Sequence, residues 1–190
     1  MRDGFLIVLS GPSGVGKGTV CESLLEKNKN IEYSISATTR GKRPMEIDGQ
    51  NYHFLSKDEF EKMIKENKFL EYAQVHGNFY GTPKDFVYER VKQGKIVILE
   101  IDVQGALQVK DNYDEAVFIF LLPPDMEELR KRIEKRATED KETIEIRMKN
   151  AENELSYIDK YDYTIVNDVV DNTVNTIENI IVAEKHRVMK

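Results

Sequence analysis

One cysteine in 190 residues, Cys21, has no partner for a disulfide within the chain, which fits a reducing cytoplasm. Long apolar runs are missing too: none approaches the roughly 18 residues of a membrane-spanning helix, so no membrane partner is expected. The opening MRDGFLIVLSG has an acidic residue ahead of its apolar segment and a glycine-rich loop behind it, which argues against a cleaved leader. Positive charge is in deficit. With 28 basic against 34 acidic residues and a net charge of −6, indiscriminate binding to a nucleic-acid polymer is disfavoured, because that needs a basic surface to displace counterions. A local basic patch can still grip a small anion. The three histidines, His53, His76 and His186, are scattered and Cys21 falls in a helical stretch, so neither a metal cluster nor a thiol nucleophile is indicated. Repeats and low-complexity linkers are absent. What remains, 40% hydrophobic and 33% charged, suits one globular fold with room for an insertion.

GFLIVLS reads as a buried strand and KGTVCESLLEKN as a helix, with apolar spacing at Val20, Leu24 and Leu25. From Ile31 the pattern changes to short β-like pieces, EYSISATT, NYHF and FLEYAQVHGNFYG. HGN suggests a hairpin turn, and SKDE ahead of Phe60 a capping box opening a short helix. A small mixed α/β subdomain is therefore expected at about 33–82, inserted into a core at about 1–32, 83–124 and 156–190. TPKDFVYERVKQG reads as a helix with its N-cap at Thr82 and Pro83 at the first position. KIVILEID, AVFIFLLPP and YDYTIVND are further buried strands, and alternation with helices points to an α/β fold whose parallel sheet is covered on both faces. Two charged helices are expected over about 125–155 with a break near ATED, carrying an apolar stripe of Leu129, Ile133, Ala137, Ile144, Met148, Ala151 and Leu155. DNTVNTIENIIVAEKHRVM reads as an amphipathic helix closing the sheet.

The stretch Gly11-Pro12-Ser13-Gly14-Val15-Gly16-Lys17 lies between strand and helix, the context of a phosphate loop. Glycines at 11, 14 and 16 let backbone N–H groups turn inward around a phosphate, the helix adds its positive N-terminal end, and Lys17 reaches the outer phosphates as a point charge. Where the usual pattern places a Ser or Thr hydroxyl on Mg²⁺, this chain has Gly18. Either the metal is held differently, largely through nucleotide phosphates and water, or Thr19 supplies the oxygen. A second anion site is suggested by Arg40 and Arg43 in a Gly- and Pro-containing turn, since two neighbouring guanidiniums repel unless an anion bridges them.

Taken in order, GPSGVGK, SATTRGKRPMEIDGQNYHF, FLEYAQVHGNFYGTP, LEIDVQGA and LRKRIEKRA resemble the guanylate kinase family over nearly the whole chain. The resemblance implies a phosphate-loop kinase core, an inserted GMP-binding subdomain and a helical lid, transferring the γ-phosphoryl of ATP, as MgATP, to GMP and plausibly dGMP. By position it implies that Arg40, Arg43, Tyr52 and Tyr80 hold the GMP phosphate and that Ser36, Glu71, Thr82 and Asp102 meet guanine. The chemistry agrees, because guanine N1–H and N2–H₂ want carboxylates and O6 wants a hydroxyl. Asp102 has a rival role as a metal-side acid, and Glu100, two residues earlier, is expected on the same strand face, so metal and base duties stay undivided between them.

Arg132 and Arg136 are one helical turn apart, with Arg147 on the next helix. Lys131, Lys135, Glu128 and Glu139 would make this equally a salt-bridged exposed helix, but the resemblance implies a lid whose arginines stabilise charge on the transferring phosphoryl. VNDVVDNT resembles the family's adenine-side loop, with Asn167 as the contact. Two other classes compete: a scaffold-type binding module of the same fold, which would lack a working phosphate loop, and a kinase of another nucleotide, which would not need Glu71 and Asp102 beside Ser36 and Thr82.

Overall fold

The structure, a computed structural model, describes residues 2–75, 77–136 and 141–188, without the side chains of Arg136 and Lys141. Its centre is β1 (Phe5–Ser10), six consecutive buried residues. A strand buried on both faces must be covered on both faces, and the alternation of β1 shows how. Phe5, Ile7 and Leu9 pack with Val20 and Leu24 of α1 (Lys17–Lys27) and with Ile177 and Ile181 of α7 (Val170–Lys185). Leu6 and Val8 point the other way, towards Val87 of α3 (Lys84–Lys92) and Val109 of α4 (Val103–Asn112).

Around β1 runs a five-stranded parallel sheet of order β2-β7-β1-β8-β9, made with β2 (Ile31–Tyr33), β7 (Ile96–Glu100), β8 (Val117–Leu122) and β9 (Tyr163–Val166). The order reverses at β1, and the crevice at the carboxyl ends of such strands is where α/β sheets take ligands. Tyr33 pairs with Ile98 in this sheet, so the excursion out of the core starts after Tyr33, slightly later than the pattern of EYSISATT suggests.

That excursion builds a second sheet of order β4-β3-β6-β5, from β3 (Ala37–Thr38), β4 (His53–Phe54), β5 (Phe69–Val75) and β6 (Asn78–Pro83). Its own core is aromatic: Phe60 of α2 (Lys57–Lys65) stacks on Phe69 and Phe79 with ring centroids 4.3 and 5.3 Å away. Ser56 and Glu59 form the expected capping box of α2. The sheet is tied to the main fold where Gln108 of α4 pairs with both backbone groups of Tyr72, donating to its carbonyl and accepting from its N–H, each at 3.1 Å.

One helix start differs from expectation. Pro83 itself is the N-cap of α3, and Thr82 is the penultimate residue of β6. The Thr82 hydroxyl is taken by Glu71, so it does not cap the helix. Charged helices α5 (Met126–Arg136) and α6 (Lys141–Leu155) pack on each other through Leu129, Ile133, Met148 and Ala151. The ATED break, Ala137 and Glu139 lie outside the described residues. Among the described residues, no helix is long and apolar enough to cross a membrane.

Candidate active site

β1 ends at Ser10, and the chain then turns through Gly11, Gly14 and Gly16, all at positive φ. Gly16 is the left-handed N-cap of α1, with no side chain capping the helix, so the first amides of α1 stay available to an anion. It is also cramped: a Cβ there would stand 2.7 Å from the Asn167 side-chain nitrogen. Lys17 folds back over the loop and donates to the carbonyls of Gly11 at 2.6 Å and Pro12 at 3.3 Å. Burial lowers its pKa, opposed by the charges of Glu100, Glu154 and Asp102 around it.

The loop is gripped from two sides. Arg147 donates to the Ser13 hydroxyl at 2.8 Å, and Glu154, two turns further along α6, accepts from the Ser13 backbone N–H. From the other side the buried Asn167 donates to the Val15 carbonyl at 2.8 Å and accepts from Thr173 at 2.9 Å. Arg132 spans both parts, reaching the Asn167 carbonyl at 2.9 Å and the Val15 carbonyl at 3.4 Å while Glu128 holds its Nε at 2.9 Å. Arg132 is thus both a member of a salt-bridged helix and a neighbour of the loop; Lys131, paired with Glu127, is only the former. The Arg136 side chain lies outside the described residues. A cleft of about 430 Å³ opens here, lined by Gly14, Gly16, Thr19, Arg132, Lys135 and Asn167.

Thr19 therefore faces this cleft, while Gly18 faces Glu100: a Cβ at Gly18 would lie 3.7 Å from a Glu100 carboxylate oxygen. The acid beside the residue that lacks the hydroxyl is Glu100. β7 ends at Glu100, and Asp102 stands beyond it as the N-cap of α4, accepting from the Gly105 N–H at 2.8 Å, so Asp102 is not on the strand as expected, although the charges of both acids act on Lys17. As N-cap, Asp102 commits its carboxylate to the first turn of α4, which begins at Val103. A hard carboxylate next to the phosphate loop fits a divalent cation of the Mg²⁺ type. Among the described residues no group of three or more His, Cys, Asp or Glu forms a cage of its own, so such an ion would be shared with nucleotide phosphates.

Across the crevice lies the second anion grip. Arg40 pairs with Glu46 at 2.6 Å, and Arg43 contributes its backbone N–H to the same carboxylate at 2.8 Å, leaving its own side chain exposed. The anion inside the turn is thus Glu46, joined to the Arg40 guanidinium and the Arg43 backbone rather than to both guanidiniums; the pattern of basic residues did not single it out. Tyr52 and Tyr80 meet edge to face at 6.0 Å, and Arg40 lies over the Tyr52 ring at 5.5 Å. Nearer the sheet, Glu71 is buried and accepts from the fully buried Thr82 hydroxyl at 2.6 Å. Burial pushes the Glu71 carboxyl up to about 7, with a further push from the charge of Asp102. Its second oxygen is 3.3 Å from where a Gly105 Cβ would sit, so a small residue is needed there. Ser36 is half-buried, and its carbonyl accepts the His53 N–H at 2.9 Å.

Glu154 and Thr173 were not singled out from the sequence either. A signal existed for Glu154, which follows Arg147 by two helical turns and so shares its face. The larger hollow of about 570 Å³, lined by Arg2, Ala116, Asp162 and Arg187, is at the amino ends of the strands, away from the loop.

A parallel sheet carrying a phosphate loop, with a second arginine-based anion grip and a buried carboxylate facing it, defines a phosphate-loop nucleotide kinase. The guanylate kinase family model matches residues 4–184, and the chain belongs to that family. It is 59% identical to the guanylate kinase of Clostridium tetani, covering 99% of this chain and 90% of that one. The guanylate kinase of Caldanaerobacter subterraneus subsp. tengcongensis is 56% identical, over 98% and 91% of the two chains. Among solved structures, guanylate kinase from Anaplasma phagocytophilum matches with a TM-score of 0.75 at 38% identity, covering 97% of this chain and 88% of that one.

Proposed function

We propose that this protein phosphorylates GMP from ATP, giving ADP and GDP, and so serves purine nucleotide metabolism and GMP recycling. The observation that carries this most directly is the linkage of two anion grips through shared acids and rings: Asp102 acts on both Lys17 and the buried Glu71, and Tyr33, bonded to Glu100, neighbours Tyr52, over which Arg40 lies. The loop and the first turn of α1 bind the ATP phosphates, and the cleft at Thr19, Arg132 and Asn167 takes the nucleoside end. Asn167 uses its side chain to brace the loop, so adenine contacts there fall to its neighbours and to backbone groups. Arg40, Arg43, Tyr52 and Tyr80 hold the GMP phosphate. Glu71 and Asp102 accept from guanine N1–H and N2–H₂, with Ser36 as the hydroxyl for O6 and Thr82, whose proton goes to Glu71, lying against the base.

An oxygen of the GMP phosphate attacks the γ-phosphorus in line as the ADP oxygen leaves, so no protein nucleophile or base is required. Lys17, Arg132 and Arg147 stabilise the charge on the transferring group, joined by Arg136 when the lid of about 125–155 closes. Bound with ATP, Mg²⁺ would stand beside Glu100 and would neutralise phosphate charge during transfer. Closure of the lid and of the inserted GMP-binding subdomain at about 33–82 excludes water, which would otherwise accept the phosphoryl. The compartment we assign is the cytoplasm.

The test is ADP formation with ATP, Mg²⁺ and each nucleoside monophosphate in turn. Turnover is expected with GMP and dGMP; no GMP-dependent turnover would overturn the kinase, and equal rates with AMP would overturn the guanine site. Arg43→Ala is expected to raise the KM for GMP about 10- to 100-fold, the worth of one charge-assisted phosphate contact, while the KM for ATP stays put. An unchanged GMP affinity in a direct titration would show that the exposed Arg43 does not reach the phosphate.

A further inference from the structure

Glu46 is not among the residues that touch either nucleotide in the reading above, yet it is the best-connected group in the basic turn. Its carboxylate accepts from Arg40 Nη2 at 2.6 Å, Arg40 Nη1 at 3.1 Å and the Arg43 backbone N–H at 2.8 Å. The ion pair is mostly shielded, with the Arg40 and Glu46 side chains 17% and 15% exposed. A guanidinium has five N–H donors in one plane. Glu46 takes one from each terminal nitrogen, and the Gly41 carbonyl takes the second Nη1 hydrogen at 2.8 Å. What is left is Nε–H and one Nη2–H, both on the same edge of the plane, where the Tyr80 phenol also hydrogen-bonds Arg40; this is the two-pronged arrangement that suits a phosphate. The plane itself is set by the rings of Tyr52 and Phe54 beneath it, 5.5 and 5.8 Å from the guanidinium carbon, with the Tyr80 phenol beside it.

Two roles are open to a carboxylate so placed: it competes with the phosphate for Arg40, or it orients Arg40 for the phosphate. The hydrogen-bond pattern decides between them. A competitor would occupy the edge the substrate needs, whereas Glu46 stays off the Nε–Nη2 edge and leaves it to Tyr80, itself a phosphate-holding residue in the reading above. Closing residues 40, 43 and 46 into one hydrogen-bonded turn also fixes the backbone from which Arg43 projects. Its charge lowers the repulsion between the two arginines before substrate arrives.

We propose that Glu46 is a positioning residue for acceptor-phosphate recognition, holding the Arg40 guanidinium so that its Nε–Nη2 edge faces the GMP phosphate. This rests on the GMP reading and adds to it a residue that acts only through Arg40 and Arg43. In Glu46→Gln the amide offers donors where Arg40 needs acceptors, so the edge is no longer held. The KM for GMP is expected to rise about 10-fold or more, with the KM for ATP unchanged within about 2-fold and the melting temperature close to that of the wild type. Guanosine, which lacks the phosphate, separates positioning from general loosening: its affinity is expected to be the same in both proteins. Glu46→Ala, which adds no donor, should move GMP in the same direction. Tighter GMP binding by either variant would make Glu46 a competitor, unchanged GMP binding would make it a surface ion pair, and a parallel loss of guanosine would make its role structural; each overturns the proposal. Wild-type protein that does not bind GMP would instead overturn the reading on which it rests.

Discussion

Lys17→Ala is expected to lower turnover by at least about 10³-fold, some 4 kcal/mol of transition-state stabilisation, while GMP binding stays within about 2-fold of wild type. The expectation follows from where Lys17 sits. Among the described residues its ammonium group bonds to the carbonyls of Gly11 and Pro12, on the ATP side of the crevice, and feels the charges of Glu100, Glu154 and Asp102. Removing it takes positive charge from the place where the γ-phosphoryl develops negative charge and leaves three carboxylates to repel the nucleotide. Neither the Arg40–Glu46 turn nor the Glu71–Thr82 pair touches it. Steady-state rates of ADP formation, with calorimetric titration of GMP, check both halves. Loss of GMP affinity equal to the loss of turnover would mean that Lys17 supports the whole crevice and not the transferring group. Lys17→Met, which keeps the aliphatic stem, separates charge from packing.

Glu71→Ala is the second large effect: kcat/KM for GMP is expected to fall about 10³- to 10⁴-fold, because a buried site built on polar partners leaves guanine N–H donors unpaired when its acceptor is gone. Turnover with AMP, expected to be low in the wild type, should not fall with it. The same residue sets a pH dependence. In the proposed guanine site the carboxylate is the accepting form, and with the carboxyl pushed up to about 7 by burial the protonated form accumulates below that. For the wild type, kcat/KM for GMP should therefore drop as pH falls through about 7, approaching tenfold per pH unit, and Glu71→Gln should be flat across that window. Stability runs in the opposite direction. The folded protein keeps a proton that the unfolded chain releases near 4.5, so this contribution is fully present below 4.5 and is lost as pH rises through 7. Bound GMP, by favouring the carboxylate, should offset that loss, which thermal melts with and without GMP at pH 6 and 8 would register.

Order of elements, the phosphate loop and the family were legible because each rests on local chemistry. A five-residue apolar run, Phe5 to Leu9, between Gly4 and the Ser10–Gly11 turn is too short for a helix and fits an inner strand, and glycines at 11, 14 and 16 ahead of a lysine leave few uses other than an anion. Ser56 and Glu59 cap α2 because a capping box needs only four residues in a row. The misplaced start of α3 is instructive in the other direction. Thr82 and Pro83 have the local chemistry of a cap and a first turn, but Glu71, eleven residues away on the neighbouring strand, takes the Thr82 hydroxyl. The same holds for Asp102, an apparent strand end that capping of α4 turns aside.

The sequence by itself determined that this chain would be an α/β phosphate-binding fold of the guanylate kinase family, since burial periodicity and loop glycines are written in neighbouring residues. Tertiary structure decided how the charges are shared. Which acid stands beside Gly18, which carboxylate occupies Arg40, and which residues clamp Ser13 and Val15 depend on contacts between segments far apart in the chain. Charges interact through space with a strength set by distance and burial, and a linear pattern specifies neither until β1, α6 and the inserted sheet are packed around one crevice.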